Sequence, residues 1–363
     1  MILLDRSHDG FHGVDTPGGY EWTYVDGMSD DGLDGFTAIW FRGLPMSPYY
    51  TSMIDGDRAR ALPSRYCGFA FNLYERGRTV AATFDEGDAS RFDASAYGPD
   101  VRFGSNRLRV VSDADGLQRM EITIDGRTPF LGHRISGEIV GTWRTIEPEG
   151  MPIGSFDPTA GDYWVPVAAD GSYSSEISLR RFGGKSRAIR SRGRLYHDRN
   201  LGFSPLHEND VRWQWGRVHL EKSTAIFFAV EPTSTSTDSA SSLTTAPFHS
   251  LMLVEEGRVV RALSTASTVM TSRPHWTGLP APRSLIVEAE GARLTSRTIG
   301  LLHSGPFYHR MRSHVTLEWE GEHVEGIGVS EYLRPSRLGV GFFRPFVACR
   351  VRREVGSGIL EQR

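Results

Sequence analysis

Short apolar runs alternate with polar residues along most of the chain, with a period of two rather than the 3.6 of an amphipathic helix. Residues 36–41 (Phe-Thr-Ala-Ile-Trp-Phe), 69–74, 250–254 and 285–289 read as strands. Residues 108–112 and 117–124, separated by Asp-Ala-Asp-Gly, read as a hairpin, because Asp-Gly tolerates the positive φ of a tight turn. Residues 218–220 pair with 225–230 in the same way, and 314–319 with 323–328 across Glu-Gly-Glu. Further Asp-Gly pairs, at Asp26-Gly27, Asp31-Gly32, Asp34-Gly35, Asp125-Gly126 and Asp170-Gly171, read as turns between strands. Helical pattern is confined to short turns near residues 47–55, which end at the Asp55-Gly56 pair, and 330–338. Residues 232–245, mostly Ser and Thr, are too polar to bury themselves and read as a mobile loop between two strands. Strands spaced this way predict an all-β protein of sandwich or barrel domains.

Composition narrows the picture. A chain of 363 residues favours two cores, and we divide it into domains 1–205 and 206–363, near Pro205. Hydrophobic residues at 39% and charged residues at 23% describe a soluble globular protein. No apolar run reaches the roughly 18–20 residues of a spanning helix. The start, Met1-Ile-Leu-Leu-Asp5, turns acidic too soon for a secretory signal, so the expected location is the cytoplasm. With a net charge of −3 and Arg scattered among acids, no basic stripe predicts nucleic acid as a partner.

Few motifs point to a cofactor. Cys67 and Cys349 stand alone, without a zinc-ligand spacing, and are expected to be reduced thiols in apolar surroundings. His207, His219 and His249 lack metal-ligand spacing as well. Gly183-Gly184-Lys185-Ser186 lacks the leading glycine frame of a phosphate loop and the helix that should follow it. No Gly-x-Ser-x-Gly elbow anchors nucleophilic catalysis. Neither metal nor nucleotide is therefore expected.

Four segments, in order, carry a resemblance. They are residues 19–50, with Gly-Tyr-Glu-Trp-Thr-Tyr-Val-Asp-Gly at 19–27 and Ser-Pro-Tyr-Tyr at 47–50; Tyr163-Trp-Val-Pro166; residues 195–220, with Leu-Tyr-His-Asp-Arg-Asn-Leu-Gly at 195–202 and Trp-Gln-Trp-Gly-Arg at 213–217; and Pro306-Phe-Tyr308 with Glu331-Tyr-Leu333. Together they resemble the carotenoid 1,2-hydratase family, the hydroxyneurosporene synthases. More distantly they resemble the lipocalin-like superfamily, which includes tocopherol cyclases and decalin-forming Diels–Alderases. The resemblance implies two lipocalin-like β-barrel or sandwich domains with a lipophilic small molecule held at their interface. It implies a Tyr-x-Asp unit and an upstream His-x-Trp unit as catalytic groups. Tyr196 and Asp198 match the first and Trp164 the tryptophan of the second, but Asp162 replaces the histidine. Leu201 stands where the superfamily often has Trp, and the segment between the two units is longer here, around residues 180–189.

Protonating an isolated alkene needs a strong acid, and a carboxyl kept protonated in an apolar cleft can serve. Lifting an Asp from about 3.9 to about 7 takes roughly 4 kcal/mol of differential stabilisation. Asp198 is the candidate donor; otherwise it is a turn or interdomain hydrogen-bond anchor. Tyr196 and Trp164 are candidates to flank a developing cation. Trp213 and Trp215 share one strand face, which either lines a pocket or fills a core. Asp162 is a candidate base. Glu21, beside Trp22, and Tyr50, after Ser47-Pro48, are further candidates for substrate contact, while His197 points away from Tyr196 and Asp198. The leading expectation is hydration of a polyene or isoprenoid. A cyclase or pericyclase using the same pocket is the alternative, and a lipophile carrier without chemistry the second. Peripheral membrane contact stays open.

Overall fold

The computed structural model describes residues 1–129, 132–181, 183–233, 247–263 and 267–353; residues 234–245 of the expected mobile loop lie outside them. The described residues form two large sheets, as the all-β, two-barrel expectation required. In the first, the Tyr20–Met28 strand is central. It pairs with Gly35–Arg42 on one side and, far along the chain, with Ser186–Gly202 on the other. The long Asp162–Arg180 strand follows, then Arg134–Arg144, Leu117–Arg127 and Asn106–Ser112. In the second, Val211–His219 lies between Thr224–Pro232 and Glu322–Leu333, with Tyr308–Trp319 beyond. The chain passes from one sheet to the other between Gly202 and Val211, and its end returns: Arg352–Arg353 pairs parallel with Asp85 and Glu86 of the first sheet.

Each sheet encloses its own apolar core, and a third core lies between them. Val25, Phe36, Trp40, Phe71 and Ile122 belong to the first core, and Val218, Phe227, Leu253 and Leu317 to the second. Tyr20, Trp22, Tyr24, Trp164, Tyr196, Trp213, Trp215 and Phe228 form the shared one. This explains why every residue of Tyr20–Met28 is buried. Its odd positions face the barrel interior and its even positions face the other sheet, because side chains alternate across a strand.

Several local expectations are corrected. Asp115-Gly116 does turn a hairpin, with Gly116 at φ +76°. Asp26-Gly27, Asp125-Gly126 and Asp170-Gly171 instead lie inside strands. At Gly27 a Cβ would stand 2.5 Å from the Phe36 ring and 2.6 Å from that of Tyr173, so the glycine admits a close aromatic approach rather than a turn. Residues 330–333 extend a strand, and only Pro335–Leu338 forms a helical turn. Ser47 caps a real helix, Pro48–Asp57. Cys67 is buried as expected, but Cys349 is exposed.

Candidate active site

The long hairpin of Asp162–Arg180 and Ser186–Gly202 positions the candidate residues. Its register aligns Pro166 with Asp198 and then slips, Ala168 meeting His197 and Gly171 meeting Leu195. Pro166 has no N–H to give the ladder, and bulges of this kind re-aim side chains. Tyr196, Asp198 and Asn200 share the face turned to the second sheet, with Asp26, Tyr24 and Trp22 as their cross-strand neighbours.

Asp198 is buried, 5% exposed. Its Oδ2 accepts the Tyr196 hydroxyl at 2.8 Å and the Trp164 indole N–H at 2.9 Å, and its Oδ1 accepts Asn200 Nδ2 at 3.3 Å. Burial pushes its carboxyl up to about 7, although the hydrogen bonds from Trp164 and Tyr196 pull the other way. Burial also raises the Tyr196 phenol, so it stays a donor. Aromatic rings enclose the pair. Tyr196 lies 4.9 Å from Trp215 and 6.1 Å from Tyr24 between centroids. Trp164 meets Phe228 edge-on at 4.9 Å, and Phe228 meets Trp213, which meets Trp22.

The structure does not gather every residue the sequence suggested. Asp162 shares the face but sits four positions along its strand from Pro166, the partner of Asp198, roughly 13 Å at about 3.3 Å per residue. It accepts the Tyr20 hydroxyl at 2.9 Å and Asn209 Nδ2 at 3.3 Å, and burial raises its carboxyl too. Glu21 faces the other side of its strand, ion-paired to Arg199 at 3.3 Å and bonded by the backbone N–H groups of His12 and Val14. Tyr50 packs in a separate cluster with Ile54 and Tyr66, its hydroxyl on the Gly19 carbonyl at 2.7 Å. His197 does point away, Nε2 3.0 Å from Asp9.

The sequence reading missed a buried ionic group beside Tyr196. Arg310 bridges Asp26 of the first sheet and Glu331 of the second. Arg217 Nε adds a 3.0 Å bond to Asp26, and its guanidinium lies 5.9 Å from the Tyr196 ring. Tyr24 and Tyr308 donate to Glu331 at 3.1 and 2.8 Å. Part of the signal was present: Arg217 and Glu331 fall in two of the resembling segments, and Arg217 shares the strand face of Trp213 and Trp215.

Among the described residues, no group of three or more His, Cys, Asp or Glu side chains is arranged to ligate a metal ion. None of their helices is long and apolar enough to cross a membrane. A cleft of about 1250 Å³ opens elsewhere, lined by Ser29, Asp31, Glu138, Ser174 and Arg190. It is open to solvent, and its shifted acids, Asp31 and Glu176, are held below the usual carboxylate range by hydrogen bonds and neighbouring arginines, so neither keeps a proton as Asp198 does.

The carotenoid hydratase CrtC family model matches residues 38–359. A hydroxyneurosporene dehydrogenase of Chlorobaculum tepidum is 30% identical over 370 residues, covering 97% of this chain and 92% of that protein. An acyclic carotenoid 1,2-hydratase of Rubrivivax gelatinosus is 28% identical over 219 residues, 59% of this chain, and the match spans 48% of that enzyme. Among solved structures, CghA superposes with a TM-score of 0.59 at 14% identity, over 88% of this chain and 89% of its own. An AttH protein of Nitrosomonas europaea gives 0.56 at 16%, over 86% and 92%. At such identities these two speak for the fold alone. The extent of the family match and the full-length relative settle the membership: the chain belongs to the carotenoid hydratase CrtC family.

Proposed function

We propose that the protein hydrates a terminal alkene of a lipophilic polyene or isoprenoid without a cofactor, Asp198 supplying the proton. The observation that carries this reading is a buried carboxyl held near pH 7 inside an aromatic enclosure. Asp198 gives its proton to one alkene carbon, and the neighbouring carbon becomes a tertiary cation. The faces of Tyr196, Trp164 and Trp215 stabilise that charge by roughly 0.5–2 kcal/mol each. Water adds to the cation, and its surplus proton returns to the Asp198 carboxylate, so the acid is regenerated and the product has gained one water. Tyr196 and Trp164 hold the carboxyl in place throughout.

The position of Asp162 favours a second reading. The acid that replaces the family histidine lies roughly 13 Å along the strand, so Asp162 does not adjoin Asp198. A cation formed there can then be captured by another double bond of the same substrate, giving a cyclase.

Turnover of an acyclic carotenoid in isotopic water separates the readings. A hydratase product gains one heavy oxygen. A proton-initiated cyclase product gains one non-exchangeable deuterium and no oxygen, and a pericyclase product gains neither. Asp198→Asn should lower turnover about 10²–10⁴-fold. Full activity of this variant, with neither label taken up, eliminates Asp198 as the donor. A carrier would return the lipophile unchanged.

A further inference from the structure

Outside the aromatic enclosure, the chain from residue 334 to 353 stands out. It contains Arg334, Arg337, Arg344, Arg350, Arg352 and Arg353 and no Asp, Glu or Lys. Its inward residues, Leu338, Val347 and Val351, are buried. Its outward ones are apolar too: Phe342 is 71% exposed, Phe346 56% and Val340 46%. Phe342 and Phe346, one helical turn apart, lie 5.6 Å between centroids, and Phe343 is 5.3 Å from Phe342. Arg337 ties this arm to the loop that bears Trp276, itself 81% exposed. Its guanidinium lies 4.4 Å from the Phe343 ring, and Nη2 donates to the Thr277 carbonyl at 3.5 Å.

Exposed aromatics rimmed by guanidinium groups match the boundary of an anionic bilayer. Phenylalanine and tryptophan insert at the headgroup level, while arginine stems lie along the apolar layer and their heads meet phosphate. Arg344 and Arg352 are partly neutralised by Asp55 and Asp85. Among the described residues, Arg334, Arg337 and Arg350 have no carboxylate partner. The arm also adjoins the shared core. Met46, which packs on that core, faces Leu338, Phe343 and Val347 across a narrow gap. Arg350 is close enough to add to the burial that holds His303 neutral, and the His303 ring is 5.9 Å from Tyr308, a donor to Glu331.

From this placement we infer that the C-terminal arm docks the protein on anionic membrane surfaces through Phe342 and Phe346. The inference deepens the proposed function, since a lipophilic substrate resides in a bilayer and the arm faces Met46, which packs on the shared core.

Flotation of the full chain with vesicles tests this. Protein should float with equimolar phosphatidylcholine and phosphatidylglycerol and float poorly with phosphatidylcholine alone, and added salt should reduce recovery. Phe342→Ser/Phe346→Ser should lower the partition coefficient at least about tenfold with an unchanged melting curve. Arg350→Gln should lower it about fivefold on the anionic vesicles only. Asp198→Asn should float like the wild type, while the Phe variant should turn over detergent-dispersed substrate normally, so the two proposals fail separately. Equal flotation of wild type and Phe variant overturns the inference, as does absence of flotation. A dimer that the Phe variant abolishes, without flotation, would assign the face to a second copy instead.

Discussion

Asp198 holds its proton up to about 7 because burial penalises the carboxylate, whereas in the unfolded chain the same group ionises near 3.8. Two expectations follow from that one difference. Turnover should be level below about pH 7 and fall roughly tenfold per unit above it, as the donor loses its proton. For stability, the unfolded state binds fewer protons than the native state between pH 3.8 and about 7. Stability contributed by this group is therefore complete at acid pH and declines as pH rises through that window, by on the order of 4 kcal/mol in all. Asp198→Asn should flatten the decline, as urea titrations across pH would show. The hydrogen bonds from Trp164 and Tyr196 favour the charged form. Trp164→Phe should accordingly move the alkaline limb of the rate profile to higher pH; a shift to lower pH would contradict the assigned geometry.

At the scale of elements, period-two alternation does most of the positioning. It sets Tyr196, Asp198 and Asn200 on one face and His197 and Arg199 on the other, and it sends Glu21 away from Trp22. The Pro48–Asp57 helix depends on a single cap. Ser47 Oγ accepts the N–H groups of Tyr49 and Tyr50 at 3.1 and 3.2 Å and donates to buried Glu86 at 2.9 Å. Ser47→Ala removes the cap and leaves the Glu86 oxygen without its donor, so a loss of about 1–2 kcal/mol is expected in thermal unfolding.

Across the whole molecule, two sheets are joined by an aromatic core and by a buried ionic bridge from Asp26 through Arg310 to Glu331. Buried charges of this kind are costly to separate once formed. Arg310→Met leaves Glu331 and part of Asp26 uncompensated and should destabilise by about 3–5 kcal/mol. It should also split one unfolding transition into two, because the polar ties left in the shared core are then Arg217 to Asp26 and Tyr24 to Glu331, beside apolar contact; calorimetry would report this as a second peak. A single unshifted peak would show that the bridge contributes nothing to the union.

What the sequence by itself determined is the class of fold and which two residues make up the candidate pair. Alternation, hairpin turns and Trp-Gln-Trp are local signals, and each strand carries its own; Tyr196 and Asp198 lie two residues apart and so share a face wherever the strand goes. Even the long hairpin around residues 180–189 was visible as extra length. Tertiary structure decided the rest, because it joins segments far apart in the chain. Only the pairing of Tyr20–Met28 with Ser186–Gly202 sets Tyr24 beside Asp198, and only the packing of the two sheets buries that carboxyl enough to raise it. Arg310 reaches Asp26 across 284 residues. Asp-Gly pairs inside strands looked like turns because the aromatic rings that press on Gly27 come from other strands. The exposure of Phe342, Phe346 and Cys349 likewise has no local mark, since an apolar residue in sequence is equally ready to be core or surface until the fold assigns its neighbours.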